Sequence, residues 1–364
     1  MAKPKVSIIA NFYNSGKYIP KLIDSVLKQS FTEWELIVVN DCSPGNDLEI
    51  LKNYSGKEIL QGRYTIVDNT SNLGIAKAKA EGIKHAKGEY ITFIDGDDWL
   101  EPFALQKMFL PSQRYDCDVV IANSYYRNFP GFRLLIENKN VRFNEIYDKE
   151  KINKDLIKAF FGHNILCSYA YWGKLFKTSL VKKLNYQNNG VTLCEDIFFN
   201  LKIFLESEKI IFIEDPVYHW RWGGISSGAL KKSEASFQKI EILNNFNDFY
   251  YRRLKIAEKL NNPQLITLLR YEMLNVLKEN MPSVCSRKPG NTMSQNAKLF
   301  LESIISKPGY QEIVCLRPII NVKHNEIIDA IESKNIDWLY NYFYKSYKKQ
   351  WKNRLIRKLA AKFL

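Results

Sequence analysis

Three carboxylates follow directly on a short apolar segment in the sequence YITFIDGDDWL, residues 90–100. Tyr90 to Ile94 predict a buried strand, and Asp95, Asp97 and Asp98 come next. Like charges at the end of a buried strand repel one another and are costly to desolvate, so they need a compensating partner. Carboxylates are ligands that suit Mg²⁺ and Mn²⁺, and the segment therefore predicts a divalent-cation site. The alternative is a helix cap, with Asp97 or Asp98 starting the helix near Pro102.

Two further acidic positions could carry chemistry. Asp41, in VVNDCSPGND, ends a second predicted strand and could accept hydrogen bonds from a nucleotide base or ribose, or open a polar turn. Glu195 and Asp196 precede the apolar helical segment that begins EDIFFN. Acids in a first helical turn complement the helix dipole, but one of the two could also serve as a general base.

The segment YHWRWGGISSG, residues 218–228, combines a histidine, an arginine, glycines and serines. Arg221 and the serines suit phosphate oxygens, and His219 could bind a metal ion. A surface hairpin with a buried histidine is the alternative. The chain has neither a Walker A sequence nor a GxGxxG motif after a strand, which argues against ATPase and dinucleotide-binding functions.

Strands and helices alternate through the first hundred residues. The apolar runs predict strands at 5–10, 34–39, 64–68 and 90–95, and the amphipathic stretches predict helices at 17–30, 46–54 and 74–88. Alternation of this kind is typical of βαβ units, and continuous apolar strands indicate a mostly parallel sheet covered on both faces. Ligands of such sheets bind beyond the carboxyl ends of the strands, where Asp41 and Asp95 stand.

The pattern changes along the rest of the chain. Residues 117–122 predict a strand, 125–190 give no clear assignment, and 195–207 have helical spacing. KIIFIED and VYHWRW predict two more strands, and helices dominate from about residue 233. We therefore expect an α/β domain at 1–230, a helical domain at 231–344, and a basic tail helix at 345–364.

Composition indicates a soluble globular protein of two domains. The chain has 364 residues, 46% of them hydrophobic and 25% charged. No apolar run approaches the roughly 20 residues that span a bilayer, and the apolar part of the N-terminal segment is too short for a signal peptide. The six cysteines form no CxxC pair, so we expect a cytoplasmic protein without a disulfide framework or a zinc site.

The net charge of +14 is concentrated at the C-terminus, where residues 345–364 hold eight Lys or Arg and no acid. The remainder is not markedly basic, which argues against a nucleic-acid-binding protein. As a helix, the tail has an apolar stripe four residues apart at Tyr347, Trp351, Leu355 and Leu359. Such a helix could lie on an anionic membrane surface, or pack on the C-terminal domain or on a second subunit of a homodimer.

Taken in order, five motifs resemble those of family 2 glycosyltransferases over about residues 4–228. They are VSIIANFYNSGKY with its continuation to VVNDCSPGND, NLGIAKAKAEGIKHAKGEYITFIDGDDWLEP, YWGKLF, EDIFFN and YHWRWGGISSG. The chain departs from the usual family pattern at Cys42, where glycine is common, and at Lys79, where arginine is common. The resemblance implies a GT-A nucleotide-sugar-binding fold and an inverting, metal-assisted transfer from a UDP-sugar.

The resemblance also implies roles for individual residues. Asp97 and His219 would bind Mn²⁺ or Mg²⁺, Asp41 would bind the uracil, and Asp196, beside Glu195, would be the general base. The implied donor-binding residues are Asn11, Tyr13, Asn14, Asp41, Asn72, Lys79, Asp95, Gly96, Arg221 and Ser226. The acceptor would be a bacterial glycan, glycolipid or glycoprotein, and a lipid-linked acceptor would make a position at the inner face of the plasma membrane useful.

Three other functions compete with glycosyl transfer. A glycosidase also uses two carboxylates but needs no nucleotide site. A metal-dependent nucleotidyltransferase would share the acidic metal site and would release pyrophosphate rather than UDP. A basic nucleic-acid-binding protein would show strongly salt-dependent binding.

Overall fold

The structure, a computed structural model, describes residues 3–137, 141–161, 166–184, 195–223, 235–286, 292–318 and 325–363. Of the side chains at 235–242, 245, 292–294 and 351–363 nothing is described. The chain divides into two compact units, which are treated separately below. The first comprises Met1–Phe160 and Asn164–Ala229, and the second Phe161–His163 and Leu230–Leu364.

An eight-stranded mixed sheet forms the centre of the first unit. Its strands are β1 (Val6–Phe12), β2 (Trp34–Asn40), β3 (Tyr64–Asp68), β4 (Tyr90–Asp95), β6 (Val119–Ala122), β9 (Ile146–Tyr147), β10 (Lys174–Lys177) and β11 (Ile210–Ile213). The strand order is β3-β2-β1-β4-β10-β6-β11-β9. The first four strands pair in parallel, and β10 runs antiparallel between β4 and β6.

Helices cover this sheet and account for its continuous apolar strands. They are α1 (Ile19–Leu27), α2 (Asp47–Tyr54), α3 (Ile75–His85), α4 (Ala104–Tyr115), α5 (Lys149–Lys151), α6 (Thr178–Lys183) and α7 (Glu195–Glu206). A π-helix follows α5 at Ile152–Ile157. All seven residues of β2 are buried, as expected of a strand with both faces covered. In α1, a strongly amphipathic helix, Ile19, Leu22, Ile23 and Val26 form the buried face.

A second sheet of four short strands lies in the same unit. Its order is β5 (Trp99–Leu100), β12 (Tyr218–Arg221), β7 (Ser124–Phe129) and β8 (Phe132–Glu137). Three residues separate β5 from the end of β4, and β12 pairs with β5 in antiparallel fashion. The segment YHWRW is thereby placed against the acidic segment that follows β4.

The second unit is helical in its described residues. Its helices are α8 (Ala235–Lys259), α9 (Pro263–Val284), α10 (Thr292–Ile305), α11 (Pro308–Gln311), α12 (Asn325–Glu332) and α13 (Ile336–Phe363). Arg253 is buried in this unit and pairs with Glu272 at 2.6 Å. The α13 helix continues through residue 345 without a break, so the basic tail is the second half of a longer helix. The mixed α/β class and the helical C-terminal region predicted from the sequence are confirmed.

Within the described ranges, every helix is either too short or too polar to cross a bilayer.

Candidate active site

A cavity of about 330 Å³ opens at the carboxyl ends of β1, β2 and β4. Seven residues predicted from the sequence line it together: Asn11, Tyr13, Asp41, Asn72, Asp95, Gly96 and Asp97. They meet because β2, β1 and β4 are adjacent parallel strands, which end at the same edge of the sheet. Asn14 lies on the neighbouring loop, where its backbone N–H donates to the Ser43 hydroxyl at 3.1 Å.

Asp41 organises one wall of this cavity. One carboxylate oxygen accepts from the Asn69 side chain at 2.8 Å and from the Leu73 N–H at 2.9 Å. The other oxygen accepts from the Gly74 N–H at 2.9 Å. The buried carboxylate therefore fixes residues 69–74 beside the cavity, and its exact orientation is set before any ligand binds.

Cys42, directly after Asp41, has a backbone φ of 57°. This left-handed conformation costs a residue with a side chain roughly 1–2 kcal/mol, and glycine avoids that cost. The family preference for glycine at this position therefore has a conformational reason, and the cysteine adopts the same turn under strain.

Asp98 ties the acidic segment to β12. Its carboxylate accepts from the Tyr218 hydroxyl at 2.8 Å and from the Arg221 N–H at 2.8 Å. Burial raises the pKa of Asp98 well above its usual range, and the charges of Asp97 and Asp95 raise it further. The helix-cap role considered for Asp98 is wrong, because α4 starts six residues later, at Ala104, and is preceded by Phe103 without a side-chain cap.

Lys79 neutralises a second member of the acidic segment. Its buried ammonium group lies 2.9 Å from an Asp95 oxygen and 4.5 Å from the centroid of the Tyr171 ring. Position 79, where the family commonly has arginine, thus supports a carboxylate of the protein. Within the acidic segment, Asp98 bonds to β12 and Asp95 pairs with Lys79. Asp97 lines the 330 Å³ cavity together with Asp95.

Glu195 and Asp196 start α7, and both carboxyl groups are more basic than usual. Burial raises the pKa of Glu195 to about 7, with Asp196 adding to the shift. Burial also raises the pKa of Asp196, while the Ile197 N–H, Lys79 and Lys174 oppose it. The charges of Lys79 and Asp95 act on both carboxyl groups, so the pair lies near these two residues.

Lys174 has a structural role that the sequence did not reveal, although it stands in the YWGKLF motif. Its buried ammonium donates to the Ser168 carbonyl at 2.7 Å and the Ala170 carbonyl at 2.6 Å. Asn200 of α7 donates to the carbonyls of Tyr169 and Asp196 at 2.6 and 2.8 Å. The two side chains together fix residues 168–170 against the first turn of α7. Burial lowers the pKa of Lys174 to about 8.

We expect the stability contribution of Lys174 to depend on pH. Its pKa is about 8 in the folded protein and 10.5 ordinarily, so between these values the unfolded chain binds more protons and stability rises with pH. The charge penalty present below pH 8 amounts to about 3 kcal/mol. Urea unfolding of wild type and Lys174→Met from pH 7 to 10.5 should show a rise for the wild type that the variant lacks. Lys182→Met, which removes an exposed lysine bonded to the Ala86 carbonyl, is the matched control. Parallel curves for wild type and Lys174→Met would contradict the expectation.

Arg221 joins β12 to the cavity wall. Its Nε donates to the Asp97 carbonyl at 2.7 Å, and its guanidinium lies over the Tyr18 and Trp99 rings at 4.6 and 4.9 Å. The guanidinium therefore lies beside the Asp97 backbone, and the phosphate-side role of Arg221 stays a prediction. Ser226, predicted for the same loop, lies outside the described residues.

His219 is placed away from Asp97, contrary to the expected metal pair. Its Nε2 lies 2.6 Å from Glu101, and its Nδ1 lies 3.3 Å from the Asn128 side chain. The ring stacks between Trp99 and Tyr126, with centroids 4.8 and 4.9 Å away. Both ring nitrogens therefore have protein partners. The antiparallel pairing of β12 with β5 explains this, because it sets His219 opposite Trp99, close to Glu101.

His219 lines a second cavity of about 520 Å³ that also includes Glu101 but not Asp97. Burial lowers the pKa of His219, and the Glu101 carboxylate partly offsets this effect. Within the described ranges, no group of three or more His, Cys, Asp or Glu side chains is arranged to hold a metal ion. A cation at the first cavity would therefore depend on Asp97 together with oxygens of a bound substrate.

Gly96 is required by the close approach of β4 to β1. A Cβ atom there would lie 2.4 Å from the Asn11 carbonyl oxygen and 3.1 Å from the Phe12 ring. We expect Gly96→Ala to destabilise the protein by about 1–3 kcal/mol and to displace Asp97, because a backbone oxygen cannot yield as a side chain can. Thermal unfolding and ligand binding would measure both effects. Gly45→Ala, whose nearest atom is 3.8 Å away, is the control and should behave as wild type. Equal melting temperatures for the two variants would refute this expectation.

Comparisons with known proteins agree with the geometry. The model of glycosyl transferase family 2 matches residues 7–170. The chain is 28% identical over 232 residues to the glycosyltransferase GlyA of Streptococcus pneumoniae, and the alignment covers 63% of this chain and 32% of GlyA. It is 28% identical over 252 residues to the cholesterol galactosyltransferase of Borreliella burgdorferi, covering 66% and 68% of the two chains. The chain thus spans about a third of GlyA, and 61% of the Bacillus subtilis glycosyltransferase EpsJ.

Solved structures give the same fold. Residues 1–349 of S. aureus TarS in complex with UDP-GlcNAc superpose with a TM-score of 0.59 at 21% identity, over 95% of this chain and 92% of that one. A Pyrobaculum calidifontis mannosyltransferase with GDP-Man and Mn²⁺ superposes with a TM-score of 0.50 at 15% identity, over 92% and 88%. The described architecture is therefore the GT-A type expected from the sequence. The residues that match the model of glycosyl transferase family 2, 7–170, thus extend from within β1 through β4 and include the lining of the cavity.

Proposed function

We propose that the protein transfers a sugar from a UDP-sugar to a hydroxyl group of a glycan, glycolipid or glycoprotein. The observation that carries the proposal is the cavity where Asp41, Asp95 and Asp97 meet beside Lys79 and the Glu195–Asp196 pair. Support for the UDP-sugar comes from the fold shared with TarS, which was crystallised with UDP-GlcNAc. The named activity of a sequence relative, a cholesterol galactosyltransferase, supports a hexose as the transferred group.

The donor would lie along the cavity with its base towards Asp41. Asn72 and Gly74, in the loop that Asp41 fixes, line the cavity and would lie beside a uracil ring. The ribose would approach Asp95, whose charge and position Lys79 maintains. The diphosphate would then lie near Asp97 and Arg221, at the junction with β12.

A divalent cation fits this arrangement through Asp97. The charges of Asp97 and Asp95 raise the pKa of the neighbouring Asp98, and a cation would relieve such repulsion. Mg²⁺ is commonly held by one or two carboxylates and substrate phosphates, so Asp97 could suffice from the protein. When bound, Mg²⁺ or Mn²⁺ would offset the charge of the diphosphate. His219 is not part of this proposal, because Glu101 and Asn128 occupy its nitrogens.

Asp196 would act as the general base. An acceptor hydroxyl is a poor nucleophile at neutral pH, and a carboxylate with a raised pKa takes its proton as it attacks the anomeric carbon. Attack from the face opposite the diphosphate makes one displacement and inverts the anomeric configuration. Arg221 would stabilise the departing UDP.

The test is a donor screen by UDP release with Mg²⁺ or Mn²⁺ present. We expect release from at least one of UDP-glucose, UDP-galactose, UDP-GlcNAc and UDP-GalNAc, with a β-linked product by NMR from these α-linked donors. Release of pyrophosphate from a nucleoside triphosphate and a sugar phosphate would indicate the nucleotidyltransferase instead. An α-linked product would exclude inversion.

The basic half of α13 is proposed to hold the protein at the inner face of the plasma membrane. Residues 345–364 contain eight Lys or Arg with interspersed aromatic and aliphatic residues, and anionic lipid adds roughly 1 kcal/mol for each cation near the surface. We expect a variant ending at Tyr344 to lose co-sedimentation with anionic liposomes. Full-length protein with Lys348, Lys349 and Lys352 changed to Gln should bind more weakly and less salt-sensitively. Equal sedimentation of all three proteins would contradict this placement, and loss of a dimer on truncation would favour packing.

A further inference from the structure

One face of the second sheet carries an exposed aromatic surface. Trp220 of β12 pairs with Arg127 of β7, and Phe129 of β7 pairs with Phe132 of β8. Because side chains alternate, Trp220, Arg127 and Phe129 lie on one face of the sheet. Trp222 continues this face after the end of β12, with its ring 5.3 Å from that of Phe129.

This face is buried at one end and open at the other. The inner end packs into the core, where Tyr218 stacks on Trp172 with centroids 4.5 Å apart. At the outer end Trp222 is 47% exposed and Phe132 57% exposed, and the rings of Phe129 and Phe132 stack 4.7 Å apart. Exposed, contiguous aromatic rings of this kind mark a surface for a ligand or partner.

The exposed aromatic surface is formed by Arg127, Phe129, Phe132, Trp220 and Trp222, and Arg127 is its one charged member. Its guanidinium lies 5.0 Å from the Trp220 ring centroid and 5.7 Å from that of Trp222. One Nη donates to the Tyr125 hydroxyl at 3.2 Å, and the buried Nε has no acceptor. Among the described residues no carboxylate pairs with it, although a guanidinium has five N–H donors.

Arg133, on the same hairpin, shows the opposite arrangement. Its guanidinium lies 3.8 Å from Glu101 and 4.5 Å from the Tyr126 ring centroid, on the other face of the sheet. Both arginines pack over an aromatic ring, but of the two only Arg127 has a buried Nε without an acceptor. The difference indicates that Arg127 serves an anion that the described protein does not supply.

The surface adjoins the candidate active site through one strand. Trp222 directly follows Arg221, whose N–H and Nε bond to Asp98 and to the Asp97 carbonyl. A molecule lying on Trp222 would therefore extend from the region where transfer is proposed. The apolar faces of sugar rings stack on aromatic side chains, and a guanidinium binds a phosphate or carboxylate through paired hydrogen bonds.

We propose that this surface binds the acceptor and that the acceptor is a saccharide carrying phosphate or carboxylate groups. Its sugar rings stack on Trp222 and the Phe129–Phe132 pair, and one anionic group pairs with Arg127. The proposal rests on the proposed glycosyl transfer, because that reaction is what makes the bound saccharide an acceptor. The binding itself is independent of the donor site.

Calorimetric titration with three oligosaccharides of equal length tests the proposal: a neutral mannotetraose, a mannotetraose phosphate and a tetragalacturonate. We expect one anionic probe to bind at least about tenfold more tightly than the neutral one, the scale of one charge-assisted hydrogen bond. The phosphate and carboxylate arms identify the preferred group. Arg127→Gln should lose that preference, whereas Arg133→Gln, the matched control, should stay within about twofold of wild type.

Trp222→Ala provides a second variant, since an exposed ring can be removed without unfolding the core. It should weaken the binding of neutral and anionic probes alike, by about three- to tenfold. UDP binding, measured in parallel, should be unchanged in all three variants. If wild-type protein failed to bind UDP, the proposed function would fall while the saccharide result still stood.

Two outcomes would overturn the acceptor surface. One is that wild type and Arg127→Gln bind the anionic probes with equal affinity, or that wild type binds neither anionic probe. The other is that Arg127→Gln and Trp222→Ala bind the oligosaccharides as wild type does but no longer sediment with phosphatidylglycerol vesicles. That result would assign the surface to a lipid membrane.

Discussion

We expect Asp97→Ala to lower kcat by about 10² to 10³ and to leave the melting temperature close to that of wild type. The magnitude follows from the several kcal/mol that a metal ion contributes to charge stabilisation, at about 1.4 kcal/mol for each tenfold. The fold should survive because the tie between the acidic segment and β12 is made by the Asp98 carboxylate and by the Asp97 backbone carbonyl, which alanine keeps.

Steady-state UDP release over a series of Mn²⁺ concentrations measures this effect, with wild type in EDTA as the reference. Asp98→Asn is the contrasting variant, because it weakens the bonds to Tyr218 and Arg221 and should lower the melting temperature instead. Full activity of wild type in EDTA, combined with a wild-type-like Asp97→Ala, would remove the metal site from the mechanism.

Asp196→Asn is expected to lower turnover by about 10² or more, the scale of a general base, with UDP-sugar affinity unchanged. Asparagine keeps the size of the side chain and can still accept from the Ile197 N–H, which now lies 2.9 Å from the carboxylate. It cannot accept a proton from the acceptor hydroxyl. Single-turnover kinetics with saturating donor, alongside calorimetry with UDP, separates loss of chemistry from loss of binding.

Glu195→Gln is the matched control for this experiment, since the two acids are neighbours in the first turn of α7. Glu195 has a pKa of about 7, close to the value that suits a base at neutral pH. We nevertheless expect the smaller loss at Glu195. An inactive Glu195→Gln beside an active Asp196→Asn would reverse the assignment of the two residues.

Much of the first unit could be predicted from local sequence patterns. The four strands predicted between residues 5 and 95 correspond to β1 to β4, with ends that differ by at most two residues. They were identifiable because a strand covered on both faces must be a continuous apolar run. Residues 125–190 were not assignable, since β10 has only four residues and β8 is largely exposed, so neither has a clear hydrophobic pattern.

The sequence by itself determined which side chains meet at the cavity, because parallel neighbouring strands carry their carboxyl ends to one edge. Asp41 directly follows β2 and Asp95 ends β4, and the βαβ pattern predicted that both strands run parallel and end at one edge of the sheet. The basic tail was equally a property of the sequence, since charge composition needs no contact to be recognised.

Only the tertiary structure decided what each charged group contacts. The bond of Tyr218 to Asp98 joins residues 120 positions apart, and no local periodicity records such a pairing. The same long-range pairing of β12 with β5 places His219 on Glu101, away from Asp97. Lys174 and Arg127 were each an ordinary cation in the sequence, and Lys79 was expected at the donor rather than on Asp95. Burial beside a carboxylate, two carbonyls or two indole rings gave them distinct roles, because desolvation makes the partner of a charge decisive.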